Sequence, residues 1–460
     1  MESDPYVRRR VPWAPEVLIS MTGWVEHVVW WHAHPLTFLG AERDALPPGA
    51  PAVPRLRAFE PWLDYLVELG CNGLALGPVF ASATHGYDTV DHLRVDPRLG
   101  TEDDLRRLLD ECRRRGIRVL FDGVFNHVGR DFGPFRDVLA NGRSSSYKNW
   151  FRLDFDGDGP DGFGYADFEG HRHLVALNHD EPAVVDYVAE VLRHWLDFGI
   201  DGWRLDAAYA VPLPFWHAAV GRAREKHPDA WFVGEVLHGD YPAWVSDGGL
   251  DSVTQYELWK AIWSSLNDLN FFELAWALER HDTFSATFAP MTFVGNHDVT
   301  RLASALTEPR HLGLALAVLF TVGGVPSVYA GDEQAFQGVK RDREFGDDEV
   351  RPPFPPAPAD LAAYGWPTYH LHQQLIGLRR RHPWLHRATT RKLVVTNKQL
   401  AYESVAPDGA HRLIVLLNAA TEPYDFDVTT SGPLHVVSSH DGTDHGTSVP
   451  GPGWSVLEPA

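Results

Sequence analysis

The chain has 460 residues, 44% of them hydrophobic and 12% aromatic, which suits a large folded domain plus a smaller one and excludes a disordered chain. Its 62 acidic against 41 basic residues, a formal net charge of −21, argue against nucleic acid or an anionic membrane as the main partner. Two cysteines, Cys71 and Cys112, are too few for a disulfide framework and read as reduced core thiols. The N-terminal MESDPYVRRRVPWAPEV has basic residues with no apolar segment of secretory type behind them. No run approaches the roughly 18 apolar residues of a membrane span, so a cytoplasmic protein with no membrane partner is expected.

In chain order, eight short apolar runs read as strands: HVVWWHA, GLALGPV, IRVLFDGV, DGWRLDA, AWFVGEV, DSVTQYE, MTFVGN and VPSVYA. Between them fall helical patterns such as TEDDLRRLLDECRRRG, EPAVVDYVAEVLRHWLDFG and RHLGLALAVLFTVGG, the last closed by glycines. Eight strands alternating with helices predict an α/β fold, a closed (β/α)8 barrel with helices outside. An open doubly wound sheet is the alternative, but no Gly-rich phosphate loop accompanies these strands.

One connection is too long for a plain crossover. Residues 128–180 are rich in Gly, Asp, Phe and Tyr and predict an inserted subdomain after the third strand. Its aromatic stretches YKNWFRLDF and FGYADFEGH suit either a cleft wall that closes over sugar rings or the subdomain's own core. RPPFPPAPAD, residues 351–360, reads as a surface loop. Beyond it, RKLVVTNKQLAYESV, HRLIVLLNAA and LHVVSSH alternate with turn residues and lack a helical period. The expected organisation is therefore a barrel from 1–127 and 181–385, the insert at 128–180, and a separate C-terminal antiparallel β-sandwich at 386–460.

In such a barrel, functional side chains gather where the strands end. Polar residues end these strand candidates repeatedly: Asp122, Asn126 and His127 after the third, Arg204 and Asp206 on the fourth. Glu235 ends the fifth, and Asn296, His297 and Asp298 follow the seventh. A lone aspartate there can be a helix cap, and Arg204 with Asp206 can be a structural ion pair. Three carboxylates, two histidines and an arginine on one rim point instead to a site.

FDGVFNHVG, DGWRLDAA, FVGEVLHG and FVGNHDVTR resemble the four ordered sequence regions of the α-amylase family, glycoside hydrolase family 13. HGYDTVDHLRVDPRLGTEDDLRRLL and GGVPSVYAGDE are similar to two further segments of that family. SSYKNWFRLDFDG and LDSVTQYELWKAI resemble its neopullulanase, cyclomaltodextrinase and maltogenic amylase group, while Val175 and Ala176 replace the usual residues of the PDLN or PKLN signature.

By position, the resemblance implies Asp206 as nucleophile, Glu235 as general acid/base and Asp298 as transition-state stabiliser. It places Tyr87, Asp122, His127, Arg204 and His297 around the sugar at the cleavage point. Arg204 shares a strand face with Asp206 and is expected to keep it ionised. Glu235, in the apolar setting WFVGEVL, is expected to stay protonated. The implied activity is retaining hydrolysis of α-glucosidic bonds, mainly α-1,4, in short maltooligosaccharides; transglycosylation or isomerisation uses the same intermediate. A non-catalytic sugar-binding relative is the remaining alternative, and the presence of all three carboxylates argues against it.

Many members hold calcium with an asparagine at the position of Asn126 and an aspartate at that of Ala176, so that site is expected to be lost. Asp154, Asp156 and Asp158 have the spacing of a calcium loop, but Tyr165 stands where the distal glutamate is needed. A solvated acidic turn, and no cofactor, is the expectation.

Overall fold

The computed structural model describes residues 23–343, 345–428 and 432–459. The N-terminal basic stretch read above lies outside them. Each of the eight strand candidates supplies one parallel barrel strand: β1 Trp30–Ala33, β2 Gly73–Leu76, β3 Arg118–Val124, β4 Gly202–Asp206, β5 Trp231–Gly234, β6 Ser252–Val253, β7 Met291–Phe293 and β8 Val325–Tyr329. Their order is β6-β5-β4-β3-β2-β1-β8-β7. A parallel bridge between Thr254 and Met291 closes the ring, backed by the Gln255 N–H donating to Met291 O at 2.9 Å. β6 is shorter than its sequence suggests because Gln255 caps the next helix, Tyr256–Asn267, accepting from the Leu258 N–H.

Period-two alternation sorts the side chains. On β4, Trp203 and Leu205 join the apolar layer under the outer helices, while Arg204 and Asp206 face inward. Lower in the barrel, Trp30, Ala75, Leu120, Trp231, Val233, Met291 and Val325 pack as a separate interior cluster. Trp30 stacks on Trp231 with centroids 5.8 Å apart. Gly73 makes that possible, since a Cβ there would lie 2.3 Å from the Trp30 ring.

The helices follow their sequence signals. Glu102–Arg114 begins with a capping box between Thr101 and Asp104. Pro182–Phe198 starts on a proline capped by Glu181 and stops at Gly199, whose φ of 121° suits glycine. Cys71 and Cys112 are buried and unpaired.

After β3 the chain leaves the barrel as a three-stranded antiparallel sheet, ordered His127–Gly129, His171–Ala176 and Asp167–Phe168. Phe135, Phe151, Phe163 and Tyr165 fill the space beneath it. The tail forms a five-stranded antiparallel sheet, ordered Thr389–Val395, Gln399–Val405, Arg412–Asn418, Gly453–Pro459 and Leu434–Ser439. One face docks on helix Leu312–Thr321, with the Tyr402 hydroxyl 2.6 Å from the Thr321 hydroxyl. The other covers its own cluster around Ile414, Leu416, Phe426 and Val449.

The proline-rich run 351–360 is not the plain surface loop expected. Phe354 stacks on Phe38 at 4.2 Å, and Arg351 is buried and turned toward the barrel mouth. The backbone is tied down as well, the Phe354 N–H donating to Phe38 O at 3.0 Å and the Arg351 N–H to Asp347 O at 3.1 Å. Among the described residues, no helix is long and apolar enough to cross a membrane.

Candidate active site

Arg204 organises the mouth of the barrel. Its Nη1 donates to both oxygens of Asp122 at 2.7 and 2.6 Å and to Asp206 Oδ1 at 3.0 Å. Its Nη2 lies 2.8 Å from Glu235 Oε1 and 4.0 Å from Asp298 Oδ2. One buried guanidinium thus bridges the ends of β3, β4 and β5 and reaches the loop after β7. That answers the cost of burying charge on β4: every charge has a partner.

Glu235 has two hydrogen-bond donors and one ionic partner. Besides Arg204, the Tyr256 hydroxyl donates to Oε1 at 3.1 Å and the Ala207 N–H to Oε2 at 2.9 Å. Ala207 follows Asp206 directly and has φ 44°, a left-handed backbone that aims this N–H at the carboxylate. Trp231 and Val233 of WFVGEVL share the inward face with Glu235 but lie lower in the barrel, in the interior apolar cluster. The carboxylate itself sits in a polar nest, contrary to expectation.

The loop after β7 brings Asn296, His297 and Asp298 to the same place. Asn296 donates to the Tyr256 hydroxyl at 2.8 Å and accepts from the Asp298 N–H at 2.9 Å. His297 Nε2 is 2.8 Å from Asp298 Oδ2 and also touches the Tyr87 hydroxyl. Tyr87 donates to Asp122 Oδ2 at 3.0 Å, and its ring lies parallel to that of His297 with centroids 5.3 Å apart. His127 uses both ring nitrogens within the protein, Nε2 on Tyr87 O at 3.1 Å and Nδ1 on Asn126 at 3.1 Å. Its ring stacks on Phe168 of the insert at 4.6 Å. All eight residues singled out in the sequence therefore lie in one connected cluster.

The Asp298 side chain is 30% exposed while those of Asp206 and Glu235 are near 10%, so the cluster opens to solvent on the Asp298 side. Burial pushes the Asp206 carboxyl well up, against the pull of Arg204, and nearby Glu235 and Asp122 push it further. Asp122 is raised by burial in the same way. Arg204 does not serve Asp206 alone: one cation is shared among several buried carboxylates, which dilutes its pull on the Asp206 carboxyl. Asp298 is the exception. Burial would raise it, but His297 and Arg351 hold it well below the usual carboxylate range.

Two contributors escaped the sequence reading. Arg351 donates from Nη2 to Asp298 Oδ1 at 2.7 Å and from Nε to His297 O at 2.9 Å. Tyr256 links Glu235 to Asn296. The only signal for Arg351 was an arginine at the head of a proline run, and for Tyr256 a tyrosine just past a strand.

The metal candidates do not assemble. Among the described residues, no three His, Cys, Asp or Glu side chains converge as a metal site. Asp156 pairs with Arg143 at 2.5 Å, the Asp154 carboxylate accepts from the Asp156 N–H at 3.1 Å, and the Gly157 N–H donates to Asp154 O, so Asp154 and Asp156 belong to a tight turn, with Asp158 just beyond it. At the other position Asn126 contacts His127 Nδ1 through its amide nitrogen, and Ala176 offers no side-chain oxygen where the second calcium ligand is needed. These residues do not fit calcium.

The family described as "Alpha amylase, catalytic domain" matches residues 60–401. A cyclomaltodextrinase of Geobacillus thermopakistaniensis is 30% identical over 427 residues, 88% of this chain and 71% of its own. Neopullulanase 2 of Thermoactinomyces vulgaris is 34% identical over 344 residues, 68% of this chain and 57% of its own. The chain thus spans between 57% and 71% of the lengths of these two relatives. The solved cyclic α-maltosyl-(1→6)-maltose hydrolase of Arthrobacter globiformis superposes with a TM-score of 0.80 at 25% identity, covering 95% of this chain and 100% of that one. With the match running from the second barrel strand through the eighth and the barrel itself in place, the chain belongs to the α-amylase family, glycoside hydrolase family 13.

Proposed function

We propose that the protein hydrolyses α-glucosidic bonds, mainly α-1,4, of short maltooligosaccharides with retention of configuration. The observation that carries this reading is the bridging of Asp206 and Glu235 by the single guanidinium of Arg204, at 3.0 and 2.8 Å. It keeps two carboxyl groups from adjacent strands on one side of the mouth, the arrangement a double displacement requires.

Glu235 donates a proton to the leaving glycosidic oxygen while an oxygen of Asp206 attacks the anomeric carbon. The C–O bond breaks and a glycosyl ester forms on Asp206. Water, deprotonated by Glu235, then attacks the same carbon, and the ester opens to release the α-anomer. Arg204 stabilises the carboxylate that Asp206 becomes on release, while ionised Asp298 faces the positive charge that develops on the sugar ring. Tyr87 and His297 form the floor on which that ring rests, with Asp122 and His127 holding Tyr87 in place. No metal enters these steps. A cytoplasmic location fits the same reading, one relative being named an intracellular maltogenic amylase.

The test is incubation with a panel of α-glucosides, with products resolved by chromatography. Glucose and maltose released from maltotriose to maltohexaose are expected. Products longer than the substrate would assign transglycosylation, and no turnover of any member would overturn the proposal.

A further inference from the structure

Resting on that reading, we propose that Glu169 and Tyr209 form a bar across the leaving-group side of the cleft that selects for short glucans. Glu169 and Gly170 are the two turn residues of the hairpin in which Phe168 pairs with His171. Both have positive φ, 54° and 85°. A two-residue turn of this hand favours Asn, Asp or Gly, so glutamate at its first position carries a steric penalty that the surroundings must hold in place. The turn backbone is held by Asp167 Oδ1, which accepts from the Gly170 N–H at 3.0 Å, and the Glu169 side chain is held by the Tyr209 hydroxyl, which donates to Oε1 at 2.9 Å.

The two ends of this contact belong to different parts of the fold. Glu169 is at the tip of the insert, and Tyr209 lies in the single 3-10 turn that follows β4. Tyr209 N–H donates to Glu235 O at 3.2 Å, so the bar is anchored beside the proposed acid/base. The hairpin behind it is stiff: Phe168 stacks on His127, and Arg172 lies 4.5 Å over the Tyr165 ring. Glu169 is exposed and Tyr209 half-buried, so the contact meets solvent, and the Tyr209 bond to the Glu235 carbonyl sets it on the Glu235 side of the mouth. A glucan with several units beyond the cleaved bond must displace the bar, whereas a short one ends inside it.

The experiment compares Glu169→Ala, Tyr209→Phe and Glu169→Gln with the wild type, reading the ratio of kcat/KM on amylose to that on maltotriose. Glu169→Ala and Tyr209→Phe are expected to raise the ratio about tenfold, the scale of one lost charge-assisted hydrogen bond, chiefly through a lower KM for amylose. Glu169→Gln keeps an accepting oxygen and is expected to stay near the wild type. Ratios within about twofold of the wild type in both opened variants, or equal losses on both substrates, would overturn the proposal. Calorimetric binding of maltoheptaose and maltotriose to the same proteins reads the bar without turnover. A wild type that binds both sugars but cleaves neither would reject the hydrolase reading, while the binding ratio across the variants still decides on the bar.

Discussion

Arg351→Ala should disable Asp298 while leaving the barrel folded. Arg351 makes a 2.7 Å hydrogen bond to Asp298 and a 2.9 Å bond to the carbonyl of His297. Removing one partner of a fully buried ion pair costs about 3–5 kcal/mol. Asp298 is 30% exposed and keeps His297 at 2.8 Å, so a smaller loss applies here. A hydrogen bond between charged groups contributes about 2 kcal/mol, which corresponds to roughly a thirtyfold fall in kcat/KM. If Asp298 acts mainly in the transition state, kcat carries the loss and KM changes little. The pH profile adds a second readout. Arg351 helps to depress the Asp298 carboxyl, so its removal raises that group and moves the acid limb of kcat/KM to higher pH. Steady-state kinetics on maltotriose from pH 4 to 8 measures both effects. A variant with kcat/KM within about twofold of the wild type and an unmoved acid limb would refute the positioning of Asp298 by Arg351.

Asp206→Asn and Glu235→Gln should each lower turnover by several orders of magnitude with unchanged circular dichroism, and azide should rescue Glu235→Ala on substrates with good leaving groups. Proton NMR of the earliest product should show the α-anomer; β-anomer first would exclude the double displacement through Asp206. EDTA should leave activity and melting temperature unchanged, and a loss reversed by calcium would show that the chain holds calcium despite Ala176. Burial raises Glu333 from 4.5 to about 7, so the folded state holds this proton more tightly than the unfolded chain does. Its stabilising contribution is then present at pH 4 and lost as pH rises toward 7; Glu333→Gln should flatten the fall in melting temperature between pH 5 and 8, and an unchanged slope would contradict that.

Some of this architecture is local and therefore legible in the chain. Alternation along GWRLD places Arg204 and Asp206 on one strand face, whatever the remainder does, because successive side chains on a strand point to opposite sides. Eight apolar runs separated by amphipathic ones imply a parallel sheet, since only crossover helices cover both faces. The glycines and capping residues that end helices act within a single turn, so Thr101 and Gly199 mark boundaries without help from distant residues.

Other features exist only in three dimensions. Arg351 is 53 residues from Asp298, and Glu169 is 40 from Tyr209; each pair meets because a loop returns over the barrel mouth, which no spacing rule encodes. Ionisation is decided there too. In sequence Arg204 stands beside Asp206 alone, but the closed barrel makes it partner to Asp122 and Glu235 as well and removes water from all of them. The aromatic stretches of the insert were ambiguous between cleft and core, and packing divides them: Phe151, Phe163 and Tyr165 are buried within the subdomain, while Phe168 alone among these four reaches a proposed site residue, His127. Residue identity sets which chemistry is available at each strand end, but the low-dielectric mouth and the loops that close over it set the charge each group carries and the sugar it can meet.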